Sequence, residues 1–338
     1  MNTYTGDCRL NSLSHLLLMK GHNISPAMCF GIGEGLSFLY WIEKVGRIPF
    51  LVILGRSVEI EKTFCSNLGI TYHEIKDEPE SSTICNTLDK KQPIVVTTDR
   101  YYLKHMKEKF SDEKNGHMGL HSILLDKYDV VDNSISYHAC DGALEDFSDF
   151  WIPERELEIA RHSLWNPFPP EGKYYYMENI SYDEKNVGQV CLRAIIRNCQ
   201  RMLDTEKEGY KAFQKFIQEL EQFFHHLDFS RISTKKFLYM QFKIIYAFIY
   251  EFESTHSFYR ILYSQFLKDV SRLTKLNQLE DISDLFNKAG KLWLDLSYVI
   301  TPDNTNINKD EIINSLCYIK DLELEAVNRL LEVSTGAI

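Results

Sequence analysis

The 338-residue chain has eight cysteines, at 8, 29, 65, 85, 140, 191, 199 and 317, and no CxxC pair among them. That spacing gives no zinc ribbon and no disulfide framework, so reduced thiols in a cytoplasmic protein are the expectation. Basic residues are in short supply. Thirty-eight Lys and Arg against 48 Asp and Glu leave a formal net charge of −10, which argues against nucleic acid as a partner. No apolar run reaches bilayer-spanning length, and the N-terminal stretch lacks the basic and long apolar regions of a secretory signal, so no membrane partner is expected. Tandem repeats and low-complexity tracts are missing too.

Proline and glycine become scarce in the second half. Eight of nine prolines and twelve of sixteen glycines fall at or before position 172, which concentrates turns and short strands in the first half. There, 47–55, 70–75, 92–99, 120–128 and 134–141 read as strands, the last two as a hairpin, and 57–69 reads as a helix ending at Gly69. From about Asp183 the pattern is helical over 184–204, 207–226, 234–253, 256–273, 279–300 and 309–333, with Tyr246, Phe248, Ile249, Tyr250 and Phe258 among its packing residues. The expectation is an α+β domain over 1–178 and an all-α helical domain over 179–338.

Cys8 stands where a polar turn meets an amphipathic helix carrying Leu10, Leu13, Leu16, Leu17 and Met19. Unpaired backbone N–H groups and the helix dipole favour a thiolate there, although a cysteine is more often a small buried apolar side chain. A nucleophilic thiol needs an imidazole, and the imidazole needs a third group to fix its tautomer. His121 follows the Gly-containing turn "NGHMG" and enters a strand. Asp141 ends the partner strand of the hairpin, where the two side chains could meet; the alternative for Asp141, followed by Gly142, is a plain turn residue. His117 and His121 resemble half a zinc motif, but Met118 stands where that motif needs a glutamate and the segment is a Gly-flanked turn, so no metal site is expected.

The stretches "DCRLNSLSHLL", "FGIGEGLSFLYW", "VVTTDRYYL" and "GHMGLHSILLDKYD…ACD" resemble, in order and spacing, the N-terminal domain family of butirosin biosynthesis protein H, over roughly residues 7–150. The helical remainder is similar to the uncharacterised domain that often follows it. The resemblance implies a papain-like fold of the peptidase C39-like kind, with a helix-borne cysteine packed on an antiparallel sheet. It also implies an acyl transferase that moves an acyl group from a carrier-protein thioester to an amine, with Cys8, His121 and Asp141 matching the motif cysteine, histidine and acid. Lys127-Tyr128-Asp129 stands where the family commonly has Gly-Tyr-Asp. The implied donor rides on 4'-phosphopantetheine of an acyl or peptidyl carrier protein, the acceptor is a small-molecule amine, and no bound cofactor is required. A thioesterase or peptidase-type hydrolase using the same three residues, and a non-catalytic scaffold, are the competing readings. A homo-oligomer stays open.

Further candidates surround this core. Asn11, one turn after Cys8, either meets substrate or braces the site. Glu34, in a glycine-rich loop with Gly31, Gly33 and Gly35, is expected to be exposed beside the cleft and able to contact an amine; a glycine-capped turn is the alternative. Asp99 and the neighbouring Tyr101 are expected at the cleft, with a helix N-cap as the other reading of Asp99. Arg193, Arg197 and Arg201 fall on one helical face and could receive an acidic carrier, or simply pair with nearby acids. Asn2 is a candidate second oxyanion donor.

Overall fold

The computed structural model describes residues 7–45, 48–76, 82–107, 117, 120–142, 149–165, 168–226, 232–251, 256–301 and 308–338. Asn2 and most of the "NGHMG" turn lie outside them. In chain order the elements are α1 (Cys8–Met19), α2 (Pro26–Ile32), β1 (Leu36–Val45), β2 (Ile48–Arg56), α3 (Ile60–Leu68), β3 (Thr71–Lys76), α4 (Ser82–Asp89), β4 (Ile94–Asp99) and α5 (Lys104–Lys107). There follow β5 (Leu120–Val131), β6 (Ser134–Cys140), β7 (Asp149–Pro153), α6 (Glu154–Arg161), β8 (Lys173–Glu178), α7 (Val187–Asp204), α8 (Gly209–His226), α9 (Ile232–Tyr246), α10 (Arg260–Thr274), α11 (Gln278–Val299) and α12 (Lys309–Thr335). The fold class is α+β. No helix among the described residues is long and apolar enough to cross a membrane.

Two compact units divide the chain, but not at one cut. The first holds residues 1–29 and 68–182, the second 30–67 and 183–338. Where the sequence suggests a single boundary after residue 178, the chain leaves the first unit at 29, returns at 68 and leaves again at 182.

The first unit is built on an antiparallel six-stranded sheet of order β3-β8-β4-β5-β6-β7. Period-two alternation sends Ile94 and Val96 of β4, Ile123 and Leu125 of β5, and Tyr137 and Ala139 of β6 into one apolar cluster with Ile84 and Leu88 of α4 and Leu157 and Ala160 of α6. α1 packs on β4 and β5, burying Leu10, Leu13, Leu16 and Leu17. Its start is fixed by Asp7, whose Oδ1 accepts from the Leu10 N–H at 2.9 Å. The register sets Thr98 opposite His121 and Asp99 opposite Leu120. β8 comes from the "GKYYYME" segment, which is not among the expected strands. Its Tyr174 and Met177 are buried in the sheet, where the strand runs between β3 and β4.

In the second unit α7 to α12 pack with the β1–β2 hairpin. The glycine-rich stretch, read as a loop beside the cleft or as a glycine-capped turn, is the end of α2 and a short turn into β1. Its glycines permit close packing: a Cβ on Gly31 would lie 2.1 Å from Phe266 Cγ, and one on Gly35 would lie 2.3 Å from Phe30 Cδ2. Phe38 of β1 stacks on Phe213 of α8 at 4.1 Å between centroids. Gln241 of α9 continues the ladder along β2, accepting from Leu51 N–H and donating to Leu51 O, both at 2.8 Å.

The six expected helices are all present, and one boundary moves. α9 ends in a π turn over Ala247–Glu251, and α10 begins only at Arg260, after His256, Phe258 and Tyr259 adopt positive φ angles of 50°, 53° and 69°. Arg260 is the physical reason. It is fully buried, its Nη1 donates to Phe258 O and to Gly55 O of β2, and its Nε and Nη2 grip Glu323 of α12 at 2.8 and 2.9 Å. Trp293 Nε1 donates to the same carboxylate at 2.8 Å. Removing one partner leaves a buried charge uncompensated, so Glu323→Ala should destabilise the protein by about 3–5 kcal/mol, read by chemical denaturation.

Candidate active site

Cys8 is the first residue of α1, immediately after the capping Asp7. His121 is the second residue of β5 and Asp141 follows the last residue of β6, so the two strand ends bring an imidazole and a carboxylate together. His121 Nε2 lies 2.7 Å from Asp141 Oδ2. An ionised carboxylate only accepts, so His121 must carry its proton on Nε2 and present Nδ1 to the other side. The Cys8 side chain is close enough to act on the His121 ring electrostatically. His121 is 4% exposed and Asp141 is 0% exposed, which makes the acid a buried charge that only its neighbours can compensate.

The electrostatics follow. Burial alone pulls the His121 imidazole pKa down, but the Asp141 carboxylate and then Cys8, by charge and hydrogen bonding, outweigh it and push it up from 6.5 to about 10. Burial pushes the Cys65 and Cys191 thiols up to about 12 and raises Cys199 and Cys85 as well, which keeps these four as thiols at neutral pH.

Two further contacts hold the group together. Asn11, fully buried on α1, donates from Nδ2 to Gly142 O at 2.7 Å, tying the turn after Asp141 to the helix that carries Cys8. A Cβ on Gly142 would lie 2.6 Å from Asn11 Cβ, so the turn needs glycine to approach so closely. Thr98 Oγ1 donates to His121 O at 3.0 Å. Of its two readings, substrate contact and brace, the buried Asn11 takes the second.

Asp141 Oδ2 also accepts from His105 Nε2 at 2.8 Å. His105 comes from the short α5, and its ring lies against Phe150 at 4.1 Å. No sequence pattern marks it, because α5 is a single turn with no periodicity and the pairing spans 36 residues.

Asp99 takes the second of its two readings, a helix N-cap, and adds contacts of its own. Its Oδ1 caps the turn at Arg100–Tyr102 by accepting from Tyr101 N–H at 3.0 Å, and its Oδ2 holds His117 Nδ1 at 2.8 Å and Ser163 Oγ at 2.7 Å. The His117 ring stacks on Trp165 at 4.2 Å and lies 4.0 Å from the Tyr101 ring. Beside it opens a cavity of about 740 Å³ lined by Tyr102, Ile159, His162, Ser163, Leu164 and Trp165. His117 and His121 therefore answer to different acids. No group of three His, Cys, Asp or Glu side chains able to hold a metal ion occurs among the described residues.

Glu34 differs from its expected exposure, and the arginine face takes its acid-paired reading. Glu34 is 8% exposed, not open to a ligand, because Arg197 Nε grips its Oε1 at 2.7 Å and Arg201 Nη1 lies 3.7 Å from its Oε2. Arg197 also donates to Asn67 Oδ1 at 2.6 Å, and Arg201 pairs with Glu208 at 3.4 Å. Two of the three guanidinium groups are thus engaged within their own unit, while Arg193 is exposed. This acid-paired face was the alternative to a carrier-receiving stripe.

NMR of the His121 ring should show imidazolium through neutral pH and titration near 10, and Asp141→Asn should lower that midpoint by about one unit or more, because the carboxylate is what raises it. The linked stability is fully present below pH 6.5, declines above it and is gone once pH passes about 10. Asn11→Ala should cost about 1–3 kcal/mol by leaving the Gly142 carbonyl unpaired, and should slow alkylation of Cys8 by iodoacetamide as the Asp141 turn loosens; thermal unfolding and intact mass read the two effects.

A search of curated proteins finds no match to the chain. Residues 7–135 match the family described as butirosin biosynthesis protein H, N-terminal, and residues 155–330 match the domain of unknown function DUF4872. With the second match alone spanning more than half of its length, the chain belongs to the family in which a butirosin biosynthesis protein H N-terminal region is followed by that domain.

Proposed function

We propose that this protein is a cysteine-dependent acyltransferase of papain-like type, working in antibiotic or related secondary-metabolite biosynthesis. The observation that carries the reading is His121 held between Cys8 and Asp141, in a chain whose family is named for a butirosin biosynthesis protein. The donor in this reading is an acyl thioester on the phosphopantetheine of a carrier protein, and the acceptor is a small-molecule amine.

The Cys8 thiolate, paired with the His121 imidazolium, attacks the thioester carbonyl. The tetrahedral oxyanion is met by the backbone N–H of Cys8 at the helix start. Collapse breaks the bond to the carrier sulfur, which leaves with the proton from His121, and acyl-Cys8 remains. Acylation removes the negative sulfur, one of the influences that raise the His121 pKa, so the imidazole, having given its proton to the carrier thiol, stays neutral and is free to act as a base. It takes the proton from the attacking amine as the new C–N bond forms. The second collapse expels Cys8 as thiolate and restores the imidazolium. Amide formation from a thioester is downhill and needs no nucleotide.

Intact-mass analysis after incubation with an N-acetylcysteamine or carrier-bound acyl thioester should show an acyl adduct on the wild type and none on Cys8→Ala. His121→Ala should reduce adduct formation by about 10³-fold or more with the fold retained. Adding a panel of amines should convert the adduct to amide. Hydrolysis at a rate that no amine alters would replace the transferase with a thioesterase, and an unmodified wild-type Cys8 would remove both.

A further inference from the structure

We infer that His105 is a positioning residue of the same site, acting through Asp141 to moderate how strongly that carboxylate holds the proton of His121. This rests on the reading of Cys8, His121 and Asp141 as the reacting group.

Asp141 Oδ2 receives His121 Nε2 at 2.7 Å and His105 Nε2 at 2.8 Å, so a single acceptor atom serves two imidazole donors. Both rings are bound through Nε2, and the carboxylate can only accept, which fixes the same tautomer or the imidazolium on each. A buried carboxylate facing one imidazolium alone would concentrate its charge on that partner. Sharing the oxygen with a second donor lowers the pull on the first. The transfer reaction needs this moderation, because His121 gives its proton away in the first half and must take one back in the second. Among the described residues, the titratable groups that act on the His121 ring are Cys8 on α1 and Asp141 after β6, with Asp7 next to Cys8 and His105 reaching the site through Asp141 from α5; β7 contributes the apolar Phe150 against the His105 ring. The His105 side chain is one-fifth exposed while Asp141 has no exposure, so the buried acid is linked to the outside through His105 rather than through His121.

The test measures the His121 ring by ¹⁵N NMR titration in a Cys8→Ala background, where the sulfur no longer contributes. His105→Phe keeps an aromatic ring against Phe150 but removes the donor, and it should raise the His121 midpoint by about half a pH unit or more. His105→Gln retains an N–H donor and should stay near the parent. An unmoved midpoint in His105→Phe overturns the inference, and so does an equal shift in both variants, which would mark a packing effect. Should His105→Phe fail to fold, the long-range ¹H–¹⁵N spectrum of the unsubstituted His105 decides: a proton on Nε2 supports the assignment, and a proton on Nδ1 alone overturns it. None of these readouts needs a thioester. Loss of the His105 effect with Cys8 acylation intact would fell this inference alone, whereas an unacylated wild-type Cys8 would fell the transferase reading and leave the titration result standing.

Discussion

A carboxylate with no access to water governs the first unit. Asp141 sits at the end of β6 where an uncompensated charge would cost several kcal/mol, and its needs dictate what surrounds it. It draws His121 from β5 and His105 from α5 onto one oxygen. The turn that follows it is fastened by Asn11 to α1. Because α1 also begins with Cys8, the bond that steadies the acid sets the sulfur's distance from the imidazole. Tautomer, strand-end register and helix docking are thus consequences of a single buried charge.

The second unit solves a similar problem with a different residue pair. Arg260 and Glu323 are both fully buried, and the guanidinium nitrogens Nε, Nη1 and Nη2 each end on a carbonyl or the carboxylate. The pair costs three left-handed backbone residues, His256, Phe258 and Tyr259. In exchange it joins the α10 and α12 helices to Gly55 on the hairpin. Aromatic packing completes the arrangement: Phe38, Phe213, Phe258 and Trp293 form one cluster of rings around the same hairpin.

Much of this is legible in the sequence, and the exceptions share a cause. Helix periodicity marks α7, α8, α11 and α12 to within a few residues because their apolar faces repeat locally. Cys8, His121 and Asp141 are visible because each stands at an element's end, where turn chemistry leaves a mark. His105 leaves none, since a single-turn helix has no period and its partner lies 36 residues away. Glu34 misleads for a similar reason: glycines on either side suggest an exposed loop, and partners far along the chain, Arg197 at 163 positions and Arg201 at 167, explain its burial. β8 is not among the expected strands because it stands where the sequence changes from its strand-rich to its helical pattern, and only its pairing with β3 and β4 puts it inside the sheet.

The excursion of residues 30–67 into the second unit bears on biosynthesis of the protein itself. During translation the β1–β2 hairpin leaves the ribosome well before α8, α10 and α12, so Phe38, Phe50 and Val52 wait for their covering for on the order of ten seconds or longer at ordinary elongation rates. Through that interval the nascent chain carries a sticky, half-finished ribbon that a chaperone would bind. Neither unit can be excised by cutting the chain once, and a gene fragment ending near residue 178 would strand the hairpin with nothing to shield it.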